Sequence, residues 1–107
     1  MVMVDELQRW PTNIRCFKSG SCHLTTDGPL DELHAFAARL GMKREWFQEH
    51  RIAPHYDLTA QRRERALLLG AVFVSMREQV RRRRQAREIA LAEHKEIQGE
   101  EARRAQG

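Results

Sequence analysis

The sequence predicts an α/β fold: a single small domain with a short, partly parallel sheet. Three observations carry that prediction. Short β-branched runs alternate with stretches of helical period, the helical stretches have capping residues at their ends, and 107 residues leave room for one modest core. Helices are expected over about residues 29–40, 60–69 and 76–104, the last extending from the domain. Residues 1–87 then form the domain, and residues 88–107 a charged helical or frayed tail.

Val2-Met3-Val4 reads as a short buried strand ending at Asp5. That position suits a functional acid in an open α/β sheet, and equally a loop-starting Asp. Arg9-Trp10-Pro11 breaks regular structure, and Ile14 to Phe17 is expected as a second short strand. Ser19-Gly20 makes a turn, and Ser21 to Thr25 alternates as a strand carrying His23. The strongest helix signal runs from Asp27 to Gly41. Pro29 suits the first helical position, Asp31 and Glu32 favour the positive N-terminal end, and Gly41 suits the left-handed residue that closes a helix. At about 100° per residue, Leu30, Leu33, Phe36, Ala37 and Leu40 share one face, with His34 at its edge.

Residues 42–50 are plausible as one or two turns carrying Trp46 and Phe47, core or lid aromatics by their composition, or a flat stacking surface. Pro54 makes the chain extended into His55-Tyr56-Asp57. Thr59 caps a helix from Ala60 to Leu69 that Gly70 closes, and Ala71 to Val74 is a strand by β-branching and length. Ser75-Met76-Arg77-Glu78 has the form of a capping box and opens the last helix, whose apolar stripe fades after Leu91. Because helices separate the strands, at least part of the sheet should be parallel.

The net charge of +4 is unevenly spread. Residues 1–75 hold ten basic and nine acidic side chains, residues 76–87 six arginines and one glutamate, and residues 88–107 three basic and five acidic side chains. The whole excess lies in the block Arg77, Arg81, Arg82, Arg83, Arg84 and Arg87, which suits non-specific phosphate contact or a solvated helix face. The longest apolar run, Ala66 to Val74, is far short of the roughly 20 residues of a membrane span, and Met-Val-Met-Val-Asp lacks the regions of a signal peptide, so a cytoplasmic protein without membrane partners is expected. Cys16 and Cys22 are expected as free thiols. Zinc held by both cysteines and two histidines would need a pair spacing that the five residues between them do not match.

Val4-Asp5, Arg9-Trp10-Pro11, Ser21-Cys22-His23-Leu24-Thr25, Glu32-Leu33-His34-Ala35-Phe36-Ala37, Trp46-Phe47-Gln48 and Pro54-His55-Tyr56-Asp57-Leu58-Thr59, in that order, resemble a compact family of domains of unknown function found in bacterial and phage proteins. The resemblance covers about residues 1–78. It implies that the polar residues belong to the domain's own pattern and that the tail after about Arg84 lies outside it.

The chemistry-bearing candidates are Asp5, His23, His34, His50, His55 and Asp57. On an extended chain His55 and Asp57 project to one face, where they suit a shared metal, an acid/base pair or a hydrogen-bonded tie within the fold. A Gly-rich phosphate loop, a His-Glu-x-x-His helix and a Gly-x-Ser-x-Gly elbow are all missing, which closes the familiar routes to kinase, metalloprotease and esterase. The leading expectation is a pocket for a phosphate-bearing ligand, a nucleotide above all, lined by Asp5, His23, His34, Trp46, His55 and Asp57. A divalent metal on His23, His55 and Asp57 would serve hydrolysis or ligand sequestration, and in an enzyme those three residues are the catalytic candidates. The alternatives are a nucleic-acid or protein adaptor working through the arginine block, and an assembly role for the last helix.

Overall fold

A computed structural model describes residues 1–106 except Trp10 and Thr12, together with all side chains in that range but those of Cys16, Ala105 and Gln106. The expected break at Trp10 and the state of the Cys16 thiol lie outside the described residues. The chain forms two compact units, Met1–Ser75 and Met76–Gly107.

The first unit runs β1 (Val2–Val4), β2 (Ser21–Thr26), α1 (Leu30–Arg39), β3 (Tyr56–Thr59), α2 (Ala60–Leu68) and β4 (Val72–Phe73). Its four-stranded mixed sheet has the order β3-β2-β1-β4. β1 pairs parallel with β4, whereas β2 is antiparallel to both β1 and β3. The parallel part of the expectation is therefore one pair. α1 separates β2 from β3, but residues 40–55 bring the chain back to the end where β2 finishes, so that Tyr56 enters opposite Leu24.

Ile14 to Phe17 is not a strand. Arg15–Phe17 is a single 3-10 turn in which the Phe17 amide donates to the Ile14 carbonyl at 3.0 Å. Ile14 is 55% exposed, so its side chain is not buried on the sheet, and local turn bonds satisfy the amides of Phe17 and Lys18 instead. Residues Arg44–Trp46 make one further 3-10 turn.

α1 begins one residue later than expected. Pro29 is its N-cap, with extended ψ of 145°, and Leu30 in the first turn is 41% exposed. Leu33, Phe36, Ala37 and Leu40 bury the face anticipated for them, and Gly41 closes the helix at φ +76°. α2 starts at Thr59, whose hydroxyl accepts the Arg62 amide proton at 3.2 Å. Thr59→Ala is expected to cost about 1 kcal/mol of stability in urea denaturation, and an unchanged midpoint would rule out a working cap.

Alternation along the strands divides the sheet into two faces. Val2, Val4, Cys22, Leu24, Tyr56 and Leu58 point to the face where α1 and α2 add Leu33, Phe36, Ala37, Leu40 and Ala66, forming one core. Met3, Asp5, His23 and Asp57 occupy the opposite face by the same alternation. The second unit is α3 (Met76–Gln106), one helix of 31 residues on which Ile89, Leu91 and Ile97 are exposed. No helix is long and apolar enough to cross a membrane, among the described residues.

Candidate metal centre

Strand register assembles the site. His23 pairs with Asp57 across β2 and β3, and the Val4 to Leu24 pairing of β1 with β2 brings Asp5, one residue further on, alongside His23. One row of side chains, Asp5, His23 and Asp57, thus crosses three strands on the face away from the core. Asp5 is 3% exposed and spends both carboxylate oxygens on His23: Oδ1 accepts the backbone N–H at 2.7 Å, and Oδ2 lies 2.7 Å from Nδ1. The Arg63 guanidinium donates to the Asp5 carbonyl at 3.0 Å, fixing the backbone from which this carboxylate projects.

His55 sits two residues before Asp57 on the same side of the chain. Its Nδ1 is 2.8 Å from the Ala53 carbonyl, an oxygen that only accepts, so Nδ1 carries a proton; Nε2 has a lone pair when the ring is neutral and an N–H when it is charged. That Nε2 faces Asp57 Oδ1 at 3.5 Å, while the Gln48 side-chain amide donates to Asp57 Oδ2. Gln48 is held there by a backbone bridge in which its N–H donates to the His55 carbonyl at 2.9 Å and the His55 N–H donates back at 3.1 Å. The His23 and His55 rings meet edge to face with centroids 4.7 Å apart.

In both imidazoles Nδ1 has an oxygen partner, which leaves Nε2 as the ring nitrogen that could serve as a ligand. This is the outer support that metal-binding histidines have. One ligand atom each from His23, His55 and Asp57 lies within 4.8 Å of the others. Around a tetrahedral ion with bonds of about 2.0–2.2 Å, ligand atoms stand about 3.4 Å apart. The His55 Nε2 to Asp57 Oδ1 separation of 3.5 Å already meets that figure.

Electrostatics couple the pair. The hydrogen bond to Asp57 raises the His55 pKa above its usual 6.5, against the opposing effect of burial. The same contact lowers the Asp57 pKa below its usual 3.8. The raised His55 pKa gives the metal-free fold a stabilisation that is complete below 6.5 and lost as pH rises through the raised value. The lowered Asp57 pKa gives one that is complete above 3.8 and lost as pH falls through the lowered value. The advantage of the wild type over Asp57→Asn in thermal unfolding of chelator-treated protein is therefore expected to peak at about pH 5. A difference independent of pH would remove the ion pair. A metal would need the His55 imidazole neutral, so protonation of that ring and ligation would compete.

Of the other expected candidates, His34 and His50 lie outside the cluster, whereas Trp46 shares a cavity with Asp57. His34 is on α1, with Nδ1 2.9 Å from the Tyr56 hydroxyl and its ring edge-on to Phe47 at 4.6 Å, on the core side of the sheet. Tyr56 and Asp57 are consecutive on a strand, so partners of one cannot share a face with the other. Burial lowers the His34 pKa, in keeping with a neutral structural imidazole. His50 accepts the Ile52 and Ala53 amide protons on Nδ1, each at 3.3 Å, and holds its own loop; its ring centroid is 6.4 Å from that of His55. Trp46 lines a cavity of about 310 Å³ that Asp57 also lines. Phe47 packs against the core rather than offering an open stacking face. Cys22 is buried on the core face and its thiol is pushed up to about 12, chiefly by burial, so it is no partner for His23 in a zinc site. Gln48, Arg62 and the Ala53 carbonyl were not singled out by the sequence, since their roles depend on bridges and on a cavity wall that no spacing encodes.

In the arginine block, Glu78 takes two members: Arg81 donates to it at 2.8 and 2.7 Å and Arg82 at 3.1 Å. These contacts pull the Glu78 carboxyl down to about 2.

Fold and site together define a small α/β domain with a His-His-Asp cluster on the face of a mixed sheet away from its core. The chain belongs to the DUF4031 family, described as a protein of unknown function, whose model matches residues 2–86. Neither the curated proteins nor the solved structures gave a match.

Proposed function

We propose that this domain binds a divalent transition metal through His23, His55 and Asp57 and uses it to hold a phosphate-bearing ligand, a nucleotide in the first instance. The observation that carries the reading is the pair of supported imidazoles, with Asp5 and the Ala53 carbonyl on their Nδ1 atoms and an Asp57 oxygen within 4.8 Å of a nitrogen of each ring. Two nitrogens and one oxygen suit zinc, cobalt, nickel or iron better than magnesium or calcium. Three protein ligands leave a tetrahedral ion one position for water or a phosphate oxygen. Such an ion captures a phosphate and, when its water is deprotonated, serves metal-assisted hydrolysis. Calorimetric titration of chelator-treated protein with Zn²⁺ is expected to show one site per chain; an absence of binding at neutral pH would end this reading.

A second reading uses α3. Arg77, Arg83, Arg84 and Arg87 have no carboxylate partner among the described residues, which leaves them for nucleic-acid phosphates. Binding of duplex DNA by this surface would weaken with salt by roughly one unit of log–log slope per phosphate contact, and salt-independent binding would exclude it.

A further inference from the structure

The cavity beside Asp57 gives the metal reading a more definite ligand. Its lining combines the apolar side chains of Phe17, Met42 and Trp46 with the polar ones of Gln48, Thr59 and Arg62, and Asp57 joins the cavity to the His-His-Asp cluster. At about 310 Å³ it lies at the small end of ligand pockets, which run from about 300 to 1,000 Å³, and suits one mononucleotide-sized molecule. A larger and more open depression of about 830 Å³ adjoins it along α2, sharing Thr59 and Arg62, but contains none of the cluster residues.

Arg62 distinguishes the smaller cavity. Its guanidinium lies 5.5 Å from the centroid of the Trp46 ring, which fixes the charge at the cavity wall. Among the described residues no carboxylate pairs with it, so its charge is not neutralised within the fold. Lys43 adds a second cation 5.7 Å from the same ring. The anion in the cavity, Asp57, is engaged by His55 and Gln48. Arginine presents its N–H groups as a planar fork that matches phosphate oxygens in pairs.

Resting on the metal reading, we infer that this cavity binds a phosphomonoester of a flat organic group, with Arg62 and the cluster's metal gripping the phosphate from two sides. The flat group lies against Phe17 and Met42. Trp46 serves as the platform that holds Arg62, not as the surface on which the ligand stacks.

The test titrates the Zn²⁺-loaded full chain with adenosine 5′-monophosphate, inorganic phosphate and adenosine. The monophosphate is expected to bind more tightly than either part alone. Arg62→Gln should weaken the monophosphate and phosphate by roughly tenfold to a hundredfold, the effect of losing a charged hydrogen-bonding partner, while leaving Zn²⁺ affinity unchanged. Arg62→Lys, which keeps the charge and loses the fork, should recover part of the loss and shows that the site is still folded. Phe17→Ala should weaken the monophosphate and adenosine but not phosphate. Zn²⁺ binding without any binding of the monophosphate, monophosphate held no tighter than adenosine, or an Arg62→Gln protein with wild-type affinity would each overturn the inference and leave the metal reading intact. Failure to bind Zn²⁺ would remove both.

Discussion

Replacing His55 by Ala or Asp57 by Asn is expected to reduce Zn²⁺ affinity by more than a hundredfold, and the double substitution to abolish binding in calorimetry. The magnitude follows from the layering of the site. Asp5 would not touch the ion; it holds the His23 ring through Nδ1, and loss of an outer partner of this type costs about 10–100-fold in metal affinity. Asp5→Asn is expected in that range, because its single amide oxygen can serve either Nδ1 or the His23 backbone N–H but not both, and it brings no charge. Removing a ligand itself deletes a bond to the ion and must exceed it. His34→Ala supplies the control: its imidazole lies on the core side against Tyr56 and Phe47, so metal affinity should be unchanged although stability falls. Equal losses from His34→Ala and His55→Ala would mean that the measurement reports unfolding, not ligation, and the cluster would lose its support.

Leu24→Ala is expected to destabilise the fold by about 2–5 kcal/mol in urea denaturation, a large share of the roughly 5–15 kcal/mol that holds a domain together. Leu24 is 0% exposed on β2, paired on one side with Val4 and on the other with Tyr56, so both neighbouring strands would border the cavity left by truncation. The same strand carries His23 on its other face, and metal affinity should fall along with stability. Leu68→Ala, at a side chain 87% exposed, should stay within about 0.5 kcal/mol of the wild type. A loss under about 1 kcal/mol for Leu24→Ala would show that this face of the sheet is not the core.

Local features were legible from the chain alone. The α1 face of Leu33, Phe36, Ala37 and Leu40, the Thr59 cap and the closing Gly41 each depend on residues within one or two turns, and each occupies the place that helix geometry assigns. The common projection of His55 and Asp57 was legible for the same reason, since alternation on an extended chain is local. The misread element, Ile14 to Phe17, has strand-like composition but leaves Ile14 exposed, and exposure is set by the rest of the fold.

Residue spacing by itself determined the three α-helices and most of the strands, and that this chain is a small α/β domain. Only tertiary structure decided the neighbours. The antiparallel register that lays Asp5 beside His23 and Asp57, the face that takes His34 away from them, and the bridge that delivers Gln48 all depend on contacts between residues far apart in sequence. A shift of one residue in strand pairing would turn His23 into the core and Leu24 outward, with no change in any local propensity. The register is fixed by burial of Val4, Leu24, Tyr56 and Leu58 against the two helices, and the polar row on the opposite face follows from that burial.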